Sequence, residues 1–137
     1  MLNLRYTSFW LLANFLILIL VFCLSLISFP SFFDNQDFNF LWFYGVDKFL
    51  HLITFMFLSV WLSGQFRKNS YWKPAIFLLI FGLFIEIIQH KINYRTADLY
   101  DLFANTLGVI FGFLIGLAGL GGWCLRAESQ ITRSLSD

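Results

Sequence analysis

Three short runs hold most of the residues that could do chemistry: Asp47-Lys48-Phe-Leu-His51, Glu86-Ile-Ile-Gln89, and the stretch from Arg95 through Asp98 and Asp101 to Asn105. They pool carboxylates, an ammonium, a guanidinium, carboxamides and an imidazole in a chain where only 12% of residues are charged. Ionisable groups in so apolar a setting are either interfacial or functional. Such a set can bind a polar ligand, with Lys48 and Arg95 holding anionic groups and Arg95 suited to bidentate contact. It can also support acid–base chemistry, for which Glu86 and His51 are the candidates. The plain alternative is structural, with buried charges pairing and fixing how the helices pack. His51, Glu86, His90, Asp98 and Asp101 include ligand types for a divalent ion. No HExxH or paired-cysteine spacing accompanies them, and Lys48 and Arg95 oppose a cation. We therefore expect no metal and no cofactor.

A continuous pattern follows the third run. At about 100° per residue, Asp98, Asp101, Asn105, Gly108, Gly112 and Gly116 fall within roughly 80° of one helix face. Polar groups and glycines sharing a face make it a buried seam. Gly108-x-x-x-Gly112-x-x-x-Gly116 is a small-xxx-small pattern that lets helices approach closely. Packing against the second or third helix is the expected use; homo-oligomerisation is the alternative.

The elements that position these groups follow from composition. Of 137 residues, 59% are hydrophobic and 21% aromatic, more apolar surface than a soluble domain of this size can hide. Crossing about 30 Å of hydrocarbon takes about 20 helical residues. Four stretches qualify: 8–29, 47–66, 74–92 and 99–125. The expected fold is an all-α integral membrane protein with four transmembrane helices in one domain, 1–137. The first stretch reads as an uncleaved anchor, because its apolar run is long and bulky Phe29 spoils a cleavage site. Cys23 and Cys124 fall at opposite ends of the bundle, so no disulfide is expected.

Basic residues set the orientation. Arg5, Arg67, Lys68, Lys73, Arg126 and Arg133 lie on one side, against Lys48, Lys91 and Arg95 on the other. The positive-inside rule then places both termini in the cytoplasm and the three polar runs outside. The aromatic-rich connection 30–46 is expected to lie in the outer interface, and the polar tail 126–137 to be mobile. The cytoplasmic halves of the spans are expected to hold almost no polar groups. With a net charge of +1 and no basic-aromatic pattern, nucleic acid is not an expected partner; membrane lipids are.

Together, the runs resemble the VanZ-like family of bacterial integral membrane proteins. The matching elements are Asp47-Lys48-x-x-His51, Glu86-x-x-Gln89, and Arg95, Asp98, Asp101, Asn105, Gly108 and Gly112 in order. Asp98 stands where small or hydroxyl residues are also common in the family. The resemblance implies a multi-pass protein of the bacterial cell envelope, in the inner (cytoplasmic) membrane. The family's namesake is associated with teicoplanin resistance, so a link to antibiotic resistance is part of what the likeness implies. A polar pocket formed by Asp47, Lys48, His51, Glu86, Gln89, Arg95, Asp98, Asp101 and Asn105 would bind a lipid headgroup or glycopeptide-like ligand. The competing expectations are an enzyme acting on a lipid-linked envelope substrate, and a packing module with no ligand.

Overall fold

The computed structural model describes Leu2 and residues 4–26, 40–91 and 99–134. Five helices occur among them: α1 (Thr7–Leu26), α2 (Phe40–Ser63), α3 (Trp72–Lys91), α4 (Leu99–Ile115) and α5 (Trp123–Ser134). Four helical segments are long and apolar enough to cross a membrane: Thr7–Leu26, Gly45–Ser63, Lys68–Lys91 and Leu99–Leu120. No strand occurs among the described residues. Along α1 only Trp10 is buried, while Phe9, Leu11, Leu12, Phe15 and Leu16 are all exposed. A helix clothed in exposed leucine and phenylalanine has lipid as its solvent.

The spans run alternately up and down. Lys48 meets Asp101, and Gly112 lies against Met56, so α2 and α4 are parallel. The end of α3 meets the end of α1 through Gln89 and Ser25, so these two are also parallel and opposed to the first pair. The core is formed by Phe55, Leu58 and Leu62 of α2, Leu78 and Ile85 of α3, and Val109 of α4. Ile17, Leu18, Val21 and Phe22 of α1 pack on its edge. Pro74 sits in the first turn of α3, where its missing N–H breaks no helical bond.

The glycine seam belongs to the α2–α4 contact. A Cβ on Gly108 would collide with the Leu52 carbonyl, and one on Gly112 would lie 2.5 Å from the Met56 carbonyl. Ser59 Oγ donates to the Val109 carbonyl at 3.1 Å, a cross-helix bond that this close approach permits. The seam is thus occupied within the chain.

The architecture corrects several expectations. Helix α2 begins at Phe40 and not at Asp47, so residues 40–46 of the expected aromatic loop are helical; the remainder of that loop up to Asn39 lies outside the described residues. The fourth span does not continue to Leu125. It widens into a five-residue π turn, Gly116–Leu120, and breaks at Gly119 (φ +133°), a backbone conformation natural only to glycine. Gly122 (φ +69°) completes the redirection. These glycines build a joint, and the expected mobile tail is instead helix α5 as far as Ser134.

That joint creates a second polar centre, in the half of the bundle expected to lack one. Asn14 and Gln65 exchange paired amide bonds of 2.8 and 2.7 Å, and Trp61 Nε1 donates to Asn14 Oδ1 at 2.9 Å. Glu128 of α5 accepts from the backbone N–H groups of Arg5 and Tyr6 and from Trp10 Nε1. Trp10, Trp61 and Trp123 pack edge-on or tilted, with ring centroids 5.0–6.1 Å apart. A lone asparagine inside the apolar run Thr7–Leu26 was the readable sign of this centre. Asn14→Leu removes both amide bonds and the Trp61 contact. Its unfolding midpoint in detergent should fall by an amount corresponding to about 1–2 kcal/mol; an unchanged midpoint would mean that the network adds nothing to stability.

Candidate functional site

The end of the bundle opposite α5 gathers side chains from three helices. Lys48, one turn into the apolar part of α2, places Nζ 2.7 Å from Asp101 Oδ1. Asp101 lies in the first turn of α4, where the helix N-terminus favours a carboxylate, and its side chain is 4% exposed. One turn deeper, His51 Nδ1 is 3.1 Å from Asn105 Oδ1. The parallel register set by the glycine seam produces both pairs, since 48 and 51 on α2 face 101 and 105 on α4. His51 Nε2 points back toward Asp47 Oδ1 at 3.9 Å, one turn earlier on the same helix.

Helix α3 contributes Glu86 and Gln89, both buried and on the face that carries Leu78, Gly82 and Ile85. Gln89 Nε2 donates to the Ser25 carbonyl at 2.7 Å, satisfying an acceptor in the last turn of α1. Ser25 is a contributor that side-chain chemistry in the sequence could not reveal, because it acts through its backbone. His90 and Lys91 are exposed in the last turn of α3, where a cation suits the helix C-terminus. Arg95 and Asp98 lie outside the described residues.

Two polar atoms here have no hydrogen-bond partner among the described residues: Gln89 Oε1 and Asn105 Nδ2. The two residues are 1% and 2% exposed. Leaving such a group unpaired costs about 1–3 kcal/mol, so these atoms require an explanation. Asp47, His51 and Asp101 also bring three ligand-type atoms within 4.8 Å of one another. The Lys48 ammonium already sits on Asp101, and a metal ion there would face that charge at close range.

Comparison with known proteins gives the chain its relatives. The profile of the VanZ/LLP1 family matches residues 5–120, which takes in all four long apolar segments and stops before α5. An uncharacterised protein of the fission yeast Schizosaccharomyces pombe, C11E3.10, is 31% identical over 75 residues, 52% of this chain and 46% of the relative. The chain therefore spans about half the length of that curated relative. A eukaryotic relative means that likeness alone does not place the chain in a bacterial envelope. No solved structure matches it. The chain belongs to the VanZ/LLP1 family.

Proposed function

We propose that the Lys48–Asp101 end of the bundle binds a polar headgroup, or a comparable polar envelope ligand, presented at the membrane surface. The observation that carries this reading is the pair of buried atoms with no hydrogen-bond partner among the described residues, Gln89 Oε1 and Asn105 Nδ2, beside an ion pair that is only partly exposed. A ligand supplying one donor and one acceptor would satisfy both. Phe49 and Leu50, next to Lys48 in sequence, are exposed apolar residues and suit a lipid-anchored guest. In this reading the α5 end faces the cytoplasm, on the excess of Lys and Arg there, and the site opens outward. Glu86 is then a carrier of ligand contacts or of a proton.

Glu86→Gln, His51→Gln and Arg95→Lys test the reading. Each should leave folded protein in the membrane while lowering the amount of co-purifying polar lipid about tenfold, the equivalent of about 1.4 kcal/mol. Loss of folded protein in all three would support a purely structural cluster instead. A lipid product that appears on overexpression and disappears in Glu86→Gln would favour an enzyme. Orientation has a separate test in a variant lacking Cys23 and Cys124. A cysteine at His90 should react with an impermeant thiol reagent from outside, and one at Asn69 should not; the reverse pattern would turn the site toward the cytoplasm.

A further inference from the structure

Helix α5 leaves the fourth span at the Gly119 break and crosses the ends of its neighbours. Trp123 lies on Gly64, just past the end of α2, where a Cβ would collide with the indole. Cys124 packs with Leu4 and Trp10, and Glu128, one turn on, takes the N–H groups of Arg5 and Tyr6. The helix therefore runs from the end of α4 past α2 to the start of α1. We infer that its outer face and last turn, with the turn between α2 and α3, form a surface that holds the headgroups of anionic phospholipids. None of these residues belongs to the headgroup site at the opposite end.

The first support is an overhang. Trp123, Ala127 and Ile131 recur at helical spacing on one side of α5. The first two are half-buried, whereas Ile131 is 49% exposed, so the helix outruns the bundle by its last turn. Leu120 and Leu125 are exposed around the joint. A polar helix with such apolar residues at its edges suits the boundary between headgroups and acyl chains.

The second support is charge. Arg5, Arg67, Lys68, Lys73, Arg126 and Arg133 are all exposed at this end. The sequence sets two carboxylates against them here, Glu128 and Asp137, the latter outside the described residues. Glu128 is 6% exposed and turned inward onto its three N–H donors. The single carboxylate of α5 is thus spent inside the fold, and its exposed ionisable residues are both arginines.

The third support is depth. Lys73 Nζ lies 5.7 Å from the centre of the Trp72 ring, and the Arg5 guanidinium 5.8 Å from that of Tyr6; both rings are exposed. Exposed Trp and Tyr settle at headgroup level, which carries these cations to the phosphates. Tyr71, between Lys68 and Lys73, has its hydroxyl against Gly121, so the α2–α3 turn and the joint form one surface. An acidic soluble protein would match the charge but not the tryptophan, leucines and isoleucine among the cations. An anionic leaflet meets both.

The test uses the full chain in nanodiscs of phosphatidylcholine, or of phosphatidylcholine and phosphatidylglycerol in equal parts, read by hydrogen–deuterium exchange. Amides of residues 129–133 should exchange at least about fivefold more slowly with phosphatidylglycerol, the effect of one basic residue at an anionic surface. The difference should vanish at about 1 M salt, where the Debye length falls to about 3 Å. Arg133→Gln and Lys73→Gln should each cut the slowing severalfold; with two variants, a folding failure in one leaves the other informative. Equal exchange in the two discs would overturn the anionic surface, as would slowing that survives both the salt and the variants. Slowing that follows two copies per disc, whatever the lipid, would assign the face to a second chain and overturn the lipid assignment.

Discussion

Gly112→Leu should leave almost no folded protein extractable from the membrane, the largest loss we expect from one substitution. The Cβ alone would lie 2.5 Å from both the Met56 carbonyl oxygen and the Ser59 Cβ. A carbonyl locked in a helix cannot swing aside, so α2 and α4 must separate. Separation opens the contact of Phe55 and Leu58 with Val109 and breaks the Ser59–Val109 bond. It also slides Lys48 and His51 off Asp101 and Asn105, removing the polar pairs that the same register aligns. Overpacking by even a few methylenes in a well-packed core costs about 1–3 kcal/mol, and here the obstacle is main chain. Gly116→Ala is the control. Its new Cβ would meet Ser63 Oγ at 3.0 Å, the mobile end of a small side chain, and folded yield should stay within about twofold of the parent. Yields are read by size-exclusion chromatography of a fluorescent fusion. Parental yield for Gly112→Leu would mean that the two helices do not meet as described.

The second large effect falls at the other end of the molecule. Glu128→Ala should free α5, with Cys124 becoming reactive to maleimide on the order of a hundredfold faster. The Glu128 carboxylate takes N–H bonds of 2.8 Å from Arg5, 3.0 Å from Tyr6 and 2.9 Å from Trp10. Its removal leaves donors unpaired at about 1–3 kcal/mol each. Cys124 is fully buried among Leu4 and Trp10, and burial, reinforced by the Glu128 charge, pushes its thiol up to about 12. It therefore stays inert at neutral pH until the helix lifts.

Acid should mimic the substitution. Burial raises the Glu128 carboxyl's affinity for its proton, but the Tyr6, Arg5 and Trp10 hydrogen bonds and the Arg5 charge outweigh that and hold it below the ordinary glutamate range. A folded value below the unfolded one means that the carboxylate's contribution is complete above the unfolded value, including neutral pH. It is lost as pH falls through the depressed folded value. Tryptophan emission from Trp10 and Trp123 follows this release without depending on thiol chemistry. Parent protein whose α5 stays docked through that range would show that the carboxylate is not the fastener.

Sequence patterning made the spans legible because lipid imposes a simple rule: about 20 apolar residues per crossing. It failed where that rule does not apply. The segment from Phe40 looked like interfacial loop, since aromatic residues anchor loops and helices alike. Helix α5 was hidden by its polarity, although Trp123, Ala127 and Ile131 recur at helical spacing along it. The role of Glu128 could not be read at all, because two of its partners are backbone N–H groups more than 120 residues earlier. At the candidate site, spacing put Asp101 and Asn105 on one face with the glycines. Which cation or imidazole each would meet depended on register, and that is set by the carbonyls at Leu52 and Met56.

Helix α1 is finished by residues made long after it. The two N–H groups just ahead of its first turn, those of Arg5 and Tyr6, are held by Glu128, and a last-turn carbonyl by Gln89. On the ribosome it must enter the bilayer first and wait, its ends provisionally served by water and headgroups, while α2, α3 and α4 follow. Only when the twelve-residue α5 has emerged can the first span be fastened. Quality-control machinery that recognises unpaired helix ends in the membrane would therefore see an incomplete bundle until α5 has been translated.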